Sequence, residues 1–161
     1  MLNCKRTLLI TAMKPRKIRD ISFPPKVVFF KPQGIPLREI DIVNLTVDEY
    51  EAVKLADYEN LKHYEAAEKM NISRPTFTRL LESAHKKISS SIVEGKAIKI
   101  EGGDFRFSDK IFQCRRCGQF QNLQNKEDKT GSCVNCSSDE LKEISPDSFR
   151  RFRGGRQKEN L

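Results

Sequence analysis

Residues 64–87 read YEAAEKMNISRPTFTRLLESAHKK, and this stretch decides the fold prediction. Two helical patterns flank a break in the middle, N-I-S-R-P. Asn71 tolerates the left-handed conformation that ends helices better than most residues. Ser73 is a good N-cap for a second helix, and Pro75 falls in that helix's first turn, where a missing N–H costs nothing. The break therefore predicts a turn of three to four residues between two helices, the geometry of a helix-turn-helix.

The apolar residues around the break agree with two closely crossing helices. Ala67 is small enough to let the helices approach, and Ile72 can fill the gap between them. At about 100° per residue, the second helix, predicted over residues 73–92, collects its apolar side chains on one face. These are Phe77, Leu80, Leu81, Ala84 and Ile88. The opposite face is polar and cationic, which suits the major groove of duplex DNA.

This polar face supplies the candidate DNA contacts. Arg79 is the predicted base-reading residue, most naturally for guanine, and Glu82 can accept a hydrogen bond from a cytosine amine. Cations and the helix N-terminus are predicted to hold phosphates. The full set is Ser73, Arg74, Thr76, Thr78, Arg79, Glu82, Ser83, Lys86 and Lys87. The alternative is an ordinary helical hairpin with a solvated charged face.

A second motif lies at residues 114–136, CRRCGQFQNLQNKEDKTGSCVNC. Two C-x-x-C pairs separated by 15 residues are typical of a zinc ribbon, in which four thiolates complete a tetrahedral site. The predicted ligands are Cys114, Cys117, Cys133 and Cys136, with Arg115, Arg116 and Lys129 offsetting their negative charge. One structural zinc ion is expected, because four thiolates leave no open coordination position for catalysis. A rubredoxin-like iron site or a redox dithiol pair are the less favoured alternatives.

Composition limits the class of partner and compartment. The formal net charge of +8 suits a polyanionic partner, and a basic arm containing Lys14, Arg16, Lys17 and Arg19 is predicted to add affinity for nucleic acid. No apolar run approaches the roughly 18 residues that a membrane span requires. Four of the five cysteines are in C-x-x-C pairs, which favours a reducing cytoplasm over a disulfide scaffold. The odd one, Cys4, is interpreted as incidental.

The chain is predicted to divide into four parts. Residues 1–25 form a basic arm, of which 1–12 are a possible extension before a start at Met13; residues 26–103 form the helix-turn-helix domain, 104–144 the cysteine module and 145–161 a basic disordered tail. Thr46 and Glu49 predict a capping box at a helix start. Alternation on either side of E-G-G-D in residues 94–107 predicts a hairpin. The predicted fold class is mainly α, with a small β-rich module at the end.

Residues 13–103 also resemble an uncharacterised prokaryotic family of predicted DNA-binding proteins, whose members look like region four of sigma factors. The start MKPRKIR and the motifs GIPLRE, ISRPTF and EGKAIKIEGG carry the resemblance. It implies sequence-specific binding of duplex DNA. The chain departs from the family at Asn71, where members often have Gly, and in the residues that precede Met13.

Three functions follow from these patterns, in order of preference. The first is a transcription regulator that binds duplex DNA, the second an RNA-binding or ribosome-associated module, and the third an adaptor that docks on RNA polymerase or another protein. An enzyme is not expected, because catalytic motifs are missing and His63 and His85 lie far apart in sequence. A homodimer on a pseudo-palindromic site and a monomer are both allowed, since the sequence has no heptad seam.

Overall fold

The structure is a computed structural model, and it describes residues 17–122 and 131–149. Helices and strands alternate along the described chain. Their bounds are β1 Arg19–Ile21, β2 Phe29–Phe30, β3 Ile42–Leu45, α1 Val47–Val53, α2 His63–Lys69, α3 Arg74–Glu94, β4 Ala97–Ile100, β5 Phe105–Phe107, β6 Ile111–Cys114, β7 Phe120–Asn122 and β8 Leu141–Ile144. A π-helical turn, Lys54–Tyr58, continues α1, and short 3-10 turns lie at Leu37–Glu39 and Pro146–Ser148.

Helix α1 begins with the predicted capping box. The backbone N–H of Glu49 donates to Oγ1 of Thr46 over 3.4 Å, and the backbone N–H of Thr46 donates to Oε2 of Glu49 over 2.8 Å. Two N–H groups that would otherwise lack partners at the helix start are satisfied in this way. The local sequence signal is confirmed.

The predicted turn between two helices is also confirmed. Helix α2 ends at Lys69 with Met70 as its C-cap, and Asn71 adopts the left-handed conformation with φ of 53°. Ser73 then caps α3 by accepting a hydrogen bond from the backbone N–H of Thr76, and Pro75 lies in the first turn of α3. The chain thus reverses within residues 70–73.

Helix α3 lies at the centre of the core, because its apolar face contributes to both clusters of buried side chains. Phe77 and Leu81 pack with α1, α2 and the turn, in a cluster completed by Ala52, Leu55, Ala66, Ala67, Met70 and Ile72. Farther along α3, Ala84 packs against strands, in a cluster with Ile21, Leu45, Val47, Ile100 and Phe105. We call residues 17–107, which contain these two clusters, the body.

Three small sheets complete the fold. Strand β4 lies between β2, which it pairs antiparallel, and β3, which it pairs parallel. Strands β1 and β5 pair parallel in register Arg19↔Phe105. The third sheet has the order β7-β6-β8 and carries the cysteines. We call residues 111–144, of which 111–122 and 131–144 are described, the cysteine module.

The predicted hairpin over residues 94–107 is wrong. Strands β4 and β5 do not pair with each other but join different sheets. Gly102 and Gly103, with φ of 72° and 99°, turn the chain between them, and Phe105 is then fully buried beside Ile21. Burial of this ring against a distant strand replaces the local pairing.

The predicted fold class, mainly α, is wrong as well. Among the described residues, 37% are helical and 22% lie in strands that form several sheets. The strands are two to four residues long, and β1 lies in the segment that was predicted to be a basic arm. Such short strands carry almost no periodic signal, and they are stabilised by partners far away in sequence.

Several predicted boundaries also shift. Residues 17–25 belong to the body rather than to an arm, since Ile21, Pro24 and Pro25 are buried. Strand β5 likewise belongs to the body. Residues 146–149, predicted as disordered tail, form a 3-10 turn that places Phe149 against Phe107.

Some sequence predictions concern residues outside the described ranges. These are Cys4, Lys14 and Arg16 of the arm, Lys129 of the cysteine motif, and the tail beyond residue 149. Within the described ranges, no helix combines the length and apolar character needed to cross a membrane.

Candidate nucleic-acid interface and metal centre

The outer face of α3 carries charged side chains that nothing in the described structure neutralises. Arg74, Arg79, Glu82 and Lys86 are exposed on the side away from the core. Within residues 17–122 and 131–149, none of these four side chains has an ion-pair or hydrogen-bond partner. Arg74, Arg79 and Glu82 line a shallow depression of about 410 Å³ together with Pro75 and Thr78. The predicted base-reading residue, Arg79, thus lies on an open surface among charged and polar side chains.

Many other cations of the body are paired. Arg19 contacts the buried carboxylate of Asp48 over 2.8 Å, and Lys54 contacts that of Glu51 over 3.1 Å. Further ion pairs are Lys69–Glu59, Lys96–Glu94, Lys99–Glu101 and Arg106–Asp20. Because these charges are compensated, the unpaired cations of α3 contribute strongly to the local positive potential.

Two of the predicted DNA contacts face a buried carboxylate instead. Ser83 Oγ donates to Oε1 of Glu49 over 2.7 Å, and Lys87 Nζ lies 2.6 Å from Oε2. Glu49 is only 4% exposed and sits at the start of α1. Ser83 and Lys87 therefore fasten α3 to α1, and their polar groups are already occupied.

The ionisation of Glu49 depends on these partners. Burial raises the pKa of this carboxyl, but the hydrogen bonds from Lys87, the Thr46 backbone and Ser83, together with the charge of Lys87, outweigh it and leave the pKa lowered. The carboxylate is therefore ionised at neutral pH. Its negative charge holds the positive charge of Lys87 close to α1.

Hydroxyl groups at the start of α3 are also engaged. Ser73 Oγ lies 2.8 Å from Oγ1 of Thr76, in addition to capping the helix. Thr78 Oγ1 lies 3.1 Å from Nδ1 of His63, whose ring packs edge-on against Phe77. These side chains shape the N-terminal turn of α3, and the freely available set reduces to Arg74, Arg79, Glu82 and Lys86.

The segment that the sequence assigned to a basic arm enters the body beside the turn. Lys17 Nζ lies 3.5 Å from Oδ1 of Asn71, and the backbone N–H of Asp20 donates to the carbonyl of Met70 over 3.1 Å. Arg19, by contrast, is held by Asp48. Only Lys17, of the two described arm cations, lies near the exposed end of α3.

The acidic stretch that follows Thr46 has a role that the sequence analysis missed. Asp48, Glu49 and Glu51 are 2%, 4% and 1% exposed, although Asp and Glu are almost never fully buried unless they are paired. Each is compensated by a cation from another part of the fold or the next helical turn. The capping box pointed to Glu49, but no local signal identifies its partners on α3.

The cysteine module brings its four thiols together. Sγ atoms of Cys114, Cys117, Cys133 and Cys136 all lie within 4.8 Å of one another. Cys114 and Cys136 are 3.6 Å apart, and Cys117 and Cys133 are 3.5 Å apart. A tetrahedral ion with bonds of about 2.3 Å to sulfur requires spacings of roughly 3.8 Å. The four thiols can therefore hold one metal ion.

The two C-x-x-C pairs adopt the same turn. In the first, the backbone N–H of Gly118 donates to the carbonyl of Cys114 over 2.9 Å; in the second, Ser137 donates to Cys133 over 2.8 Å. Gly118 and Ser137 both have positive φ, 74° and 56°. The backbone N–H of Asn135 also points at the sulfur of Cys133 over 3.4 Å. Such N–H groups stabilise thiolates, as metal ligation requires.

The thiols influence one another's protonation. A backbone hydrogen bond from Gln119, helped by Asn135, lowers the pKa of Cys117 to about 6. For Cys136, the backbone hydrogen bond from Ser138 lowers the pKa, but burial and the neighbouring thiols outweigh it and raise the pKa to about 12. Negative charge on one sulfur thus opposes ionisation of the next, and a bound cation removes this opposition.

Comparisons with known proteins agree on one family. A "UPF0251 protein" from Chloroherpeton thalassium is 41% identical over 145 residues, covering 90% of this chain and 95% of that protein. Others with the same name occur in Moorella thermoacetica, 40% identical over 89% of this chain and 95% of the relative, and in Methanothermobacter thermautotrophicus, 39% identical over 88% and 74%.

No solved structure matches this chain. The family profile described as "Protein of unknown function DUF134" matches residues 9–108, which include the whole body. Relatives of this family occur in both bacteria and archaea. The chain therefore belongs to the DUF134 family of UPF0251 proteins.

Proposed function

We propose that this protein binds duplex DNA in a sequence-specific manner and regulates transcription. The observation that carries the proposal is the row of unpaired Arg74, Arg79, Glu82 and Lys86 on the outer face of α3. A protein that had no polyanionic partner would gain little by leaving Arg74, Arg79 and Lys86 uncompensated while pairing so many other cations of the body.

The placement of α3 supports docking in the major groove. A tight turn at residues 70–73 joins α3 to α2, and Arg79 lies one helical turn beyond Pro75 on the open face. Arg79 is the proposed guanine contact, and Glu82 the proposed cytosine contact. Arg74, Lys86 and Lys17 are the proposed phosphate contacts, since they flank the base-reading pair or the turn. The family resemblance to sigma-factor region four agrees with this arrangement.

We propose that the metal of the cysteine module is zinc and that its role is structural. Four thiolates on two matching turns are the ligand set of zinc ribbons. Arg115 and Arg116 are exposed on the first turn, where they offset the negative charge of the four thiolates. Metal analysis of the protein purified without added metal tests this directly, with one zinc per chain expected and iron as the contrary result.

The proposed role is non-catalytic and cytoplasmic. His63 contacts Thr78 and Phe77, and His85 pairs with Asp57 over 2.7 Å, so both histidines have structural partners. Docking on RNA polymerase belongs to the alternative adaptor function.

The test is selection of bound duplexes from a random DNA pool at physiological salt, using zinc-loaded wild type and the Arg79→Ala variant. Wild type should yield a defined motif, and Arg79→Ala should relax it at one position, at a cost of about 1–3 kcal/mol. Lys86→Ala should weaken binding uniformly and reduce the salt dependence by about one phosphate contact. Arg38→Ala, an 83% exposed cation far from α3 in sequence, is the matched control and should change neither.

The selected motif also shows how many copies of the protein bind one site, and it distinguishes the proposal from the competing functions. Two inverted half-sites would indicate a homodimer, and a single half-site a monomer. Recovery of no motif, with binding that disappears as salt rises, would contradict the proposal. The RNA-binding and adaptor functions would then be the better ones.

A further inference from the structure

A second candidate surface, separate from the cationic face of α3, lies between the body and the cysteine module. A groove of about 630 Å³ is bounded by the segment before β2, by α1 with its π-helical turn, and by strand β7. Five of its eleven lining residues are aromatic. The rings are those of Phe23, Phe30, Tyr50, Tyr58 and Phe120. This volume is in the range of small-molecule sites, which are typically apolar with few polar groups.

The aromatic wall includes the π-helical turn, Lys54–Tyr58. The N–H of Glu59 donates to the carbonyl of Lys54 over 2.9 Å, which closes the wider ring of a π-helix. Such turns are rare and occur frequently at functional sites, because they give up regular helical geometry to redirect side chains. Here Leu55 is buried, whereas Tyr58 remains 84% exposed at the groove. Phe30 and Val27, also lining residues, are 52% and 53% exposed.

The two lysines that line the groove, Lys26 and Lys54, differ in whether their charge is paired. Lys54 is neutralised by Glu51 at 3.1 Å and by Glu59 at 3.7 Å. Lys26 also lines the groove, and within the described ranges it has no ion-pair or hydrogen-bond partner. An unpaired ammonium at the edge of aromatic walls favours a flat apolar molecule that carries one negative charge.

We propose that this groove binds a small aromatic carboxylate, with the ring system between the aromatic walls and the carboxylate on Lys26. The site is separate from the proposed DNA contacts, and the proposal does not rest on DNA binding. Its occupant is identified by chemistry: stacking and burial require the aromatic part, and the single unpaired cation requires the anionic part.

The test uses 1-naphthoate as the probe and the full zinc-loaded chain. Because the chain contains no Trp, naphthyl emission can be followed without tryptophan background. Binding should be saturable, and Lys26→Met should weaken it about fivefold, the effect of one partly exposed charge contact. The neutral 1-naphthamide should bind wild type and Lys26→Met equally. Val27→Glu, which adds a negative charge to the lining, should weaken naphthoate about tenfold.

Matched substitutions outside the groove serve as controls. Lys110→Met removes an exposed lysine, and Val93→Glu adds an acid at an 84% exposed valine near the end of α3. Both should bind naphthoate as wild type does, with all variants showing the same circular dichroism. Absence of saturable naphthoate binding would overturn the proposal. Equal weakening by Lys110→Met, or an undiminished affinity in Lys26→Met, would also overturn it.

Discussion

The body and the cysteine module of this protein are stabilised in different ways. The body buries two adjoining apolar clusters, with Phe77, Phe105 and Leu55 among the largest fully buried side chains. In the described part of the cysteine module, the buried apolar side chains are Ile111 and the ligand candidates Cys114 and Cys133. Hydrophobic burial therefore suffices for the body, whereas we expect the cysteine module to need a metal ion to fold.

Metal removal should produce the largest difference in stability between the body and the cysteine module. A chelator, or Cys114→Ser, should unfold the cysteine module, because metal binding supplies about 10 kcal/mol of its folding free energy. The body should remain folded. Amide resonances of the module should collapse to unfolded positions while those of α1 to α3 persist.

Cys4→Ser provides the matched control for this experiment and should retain one metal ion per chain. If Cys114→Ser kept both its metal and the module's dispersed resonances, the expectation that the cysteine module needs its metal site to fold would be wrong.

Truncation of the central ring should affect the body alone. Phe77 is fully buried between the helices, so Phe77→Ala should lower the free energy of unfolding by about 4 kcal/mol in urea titrations. Phe30→Ala, at a 52% exposed ring, should change it by well under half of that. Loss of bound metal in Phe77→Ala would indicate that the two regions do not fold independently.

The buried carboxylate of α1 should give a smaller, pH-dependent effect. Glu49→Gln leaves Lys87 without its anionic partner and should cost about 2 kcal/mol at pH 7. Because the folded-state pKa of Glu49 lies below its ordinary value of 4.5, the stabilisation is present above that value and is lost as pH falls through the folded pKa.

The difference in unfolding free energy between wild type and Glu49→Gln should therefore shrink in urea titrations as the pH is lowered from 7 to well below 4.5. Glu82→Gln, at an exposed carboxylate on α3, should show almost no difference at either pH. A constant difference across this range would mean that the charge of Glu49 is not what stabilises the contact.

The smallest expected effect compares one turn from each region. Asn71 and Ser137 both adopt left-handed backbone conformations, with φ of 53° and 56°. Asn71→Ala should lower the unfolding free energy of the body by about 1 kcal/mol, and Ser137→Gly should raise metal affinity severalfold, since glycine accepts this conformation without strain. Urea unfolding and metal competition, respectively, measure the two effects. A higher unfolding free energy in Asn71→Ala, or a lower metal affinity in Ser137→Gly, would show that contacts of these side chains outweigh backbone conformation.

Helix starts and turns were predictable because their determinants lie within a few residues. The Thr46 capping box, the left-handed Asn71 and the Ser73 cap involve contacts no more than three residues apart in sequence. The C-x-x-C spacing was similarly informative, since each pair builds its own turn. The pairing of the strands was not predictable, because segments of two to four residues are stabilised mainly by partners far away in sequence.

By itself, the sequence determined the helix pair, the apolar face of α3 and the set of four thiols, since each depends on periodicity or short spacing. Tertiary structure alone decided the rest. It paired Arg19 with Phe105 across the whole body, buried Asp48, Glu49 and Glu51, and engaged Ser83 and Lys87 with Glu49. The exposed charges Arg79 and Lys86 and the engaged Lys87 look alike in sequence. Lys87 differs from the other two because the packed helices bring it within reach of the buried carboxylate of Glu49.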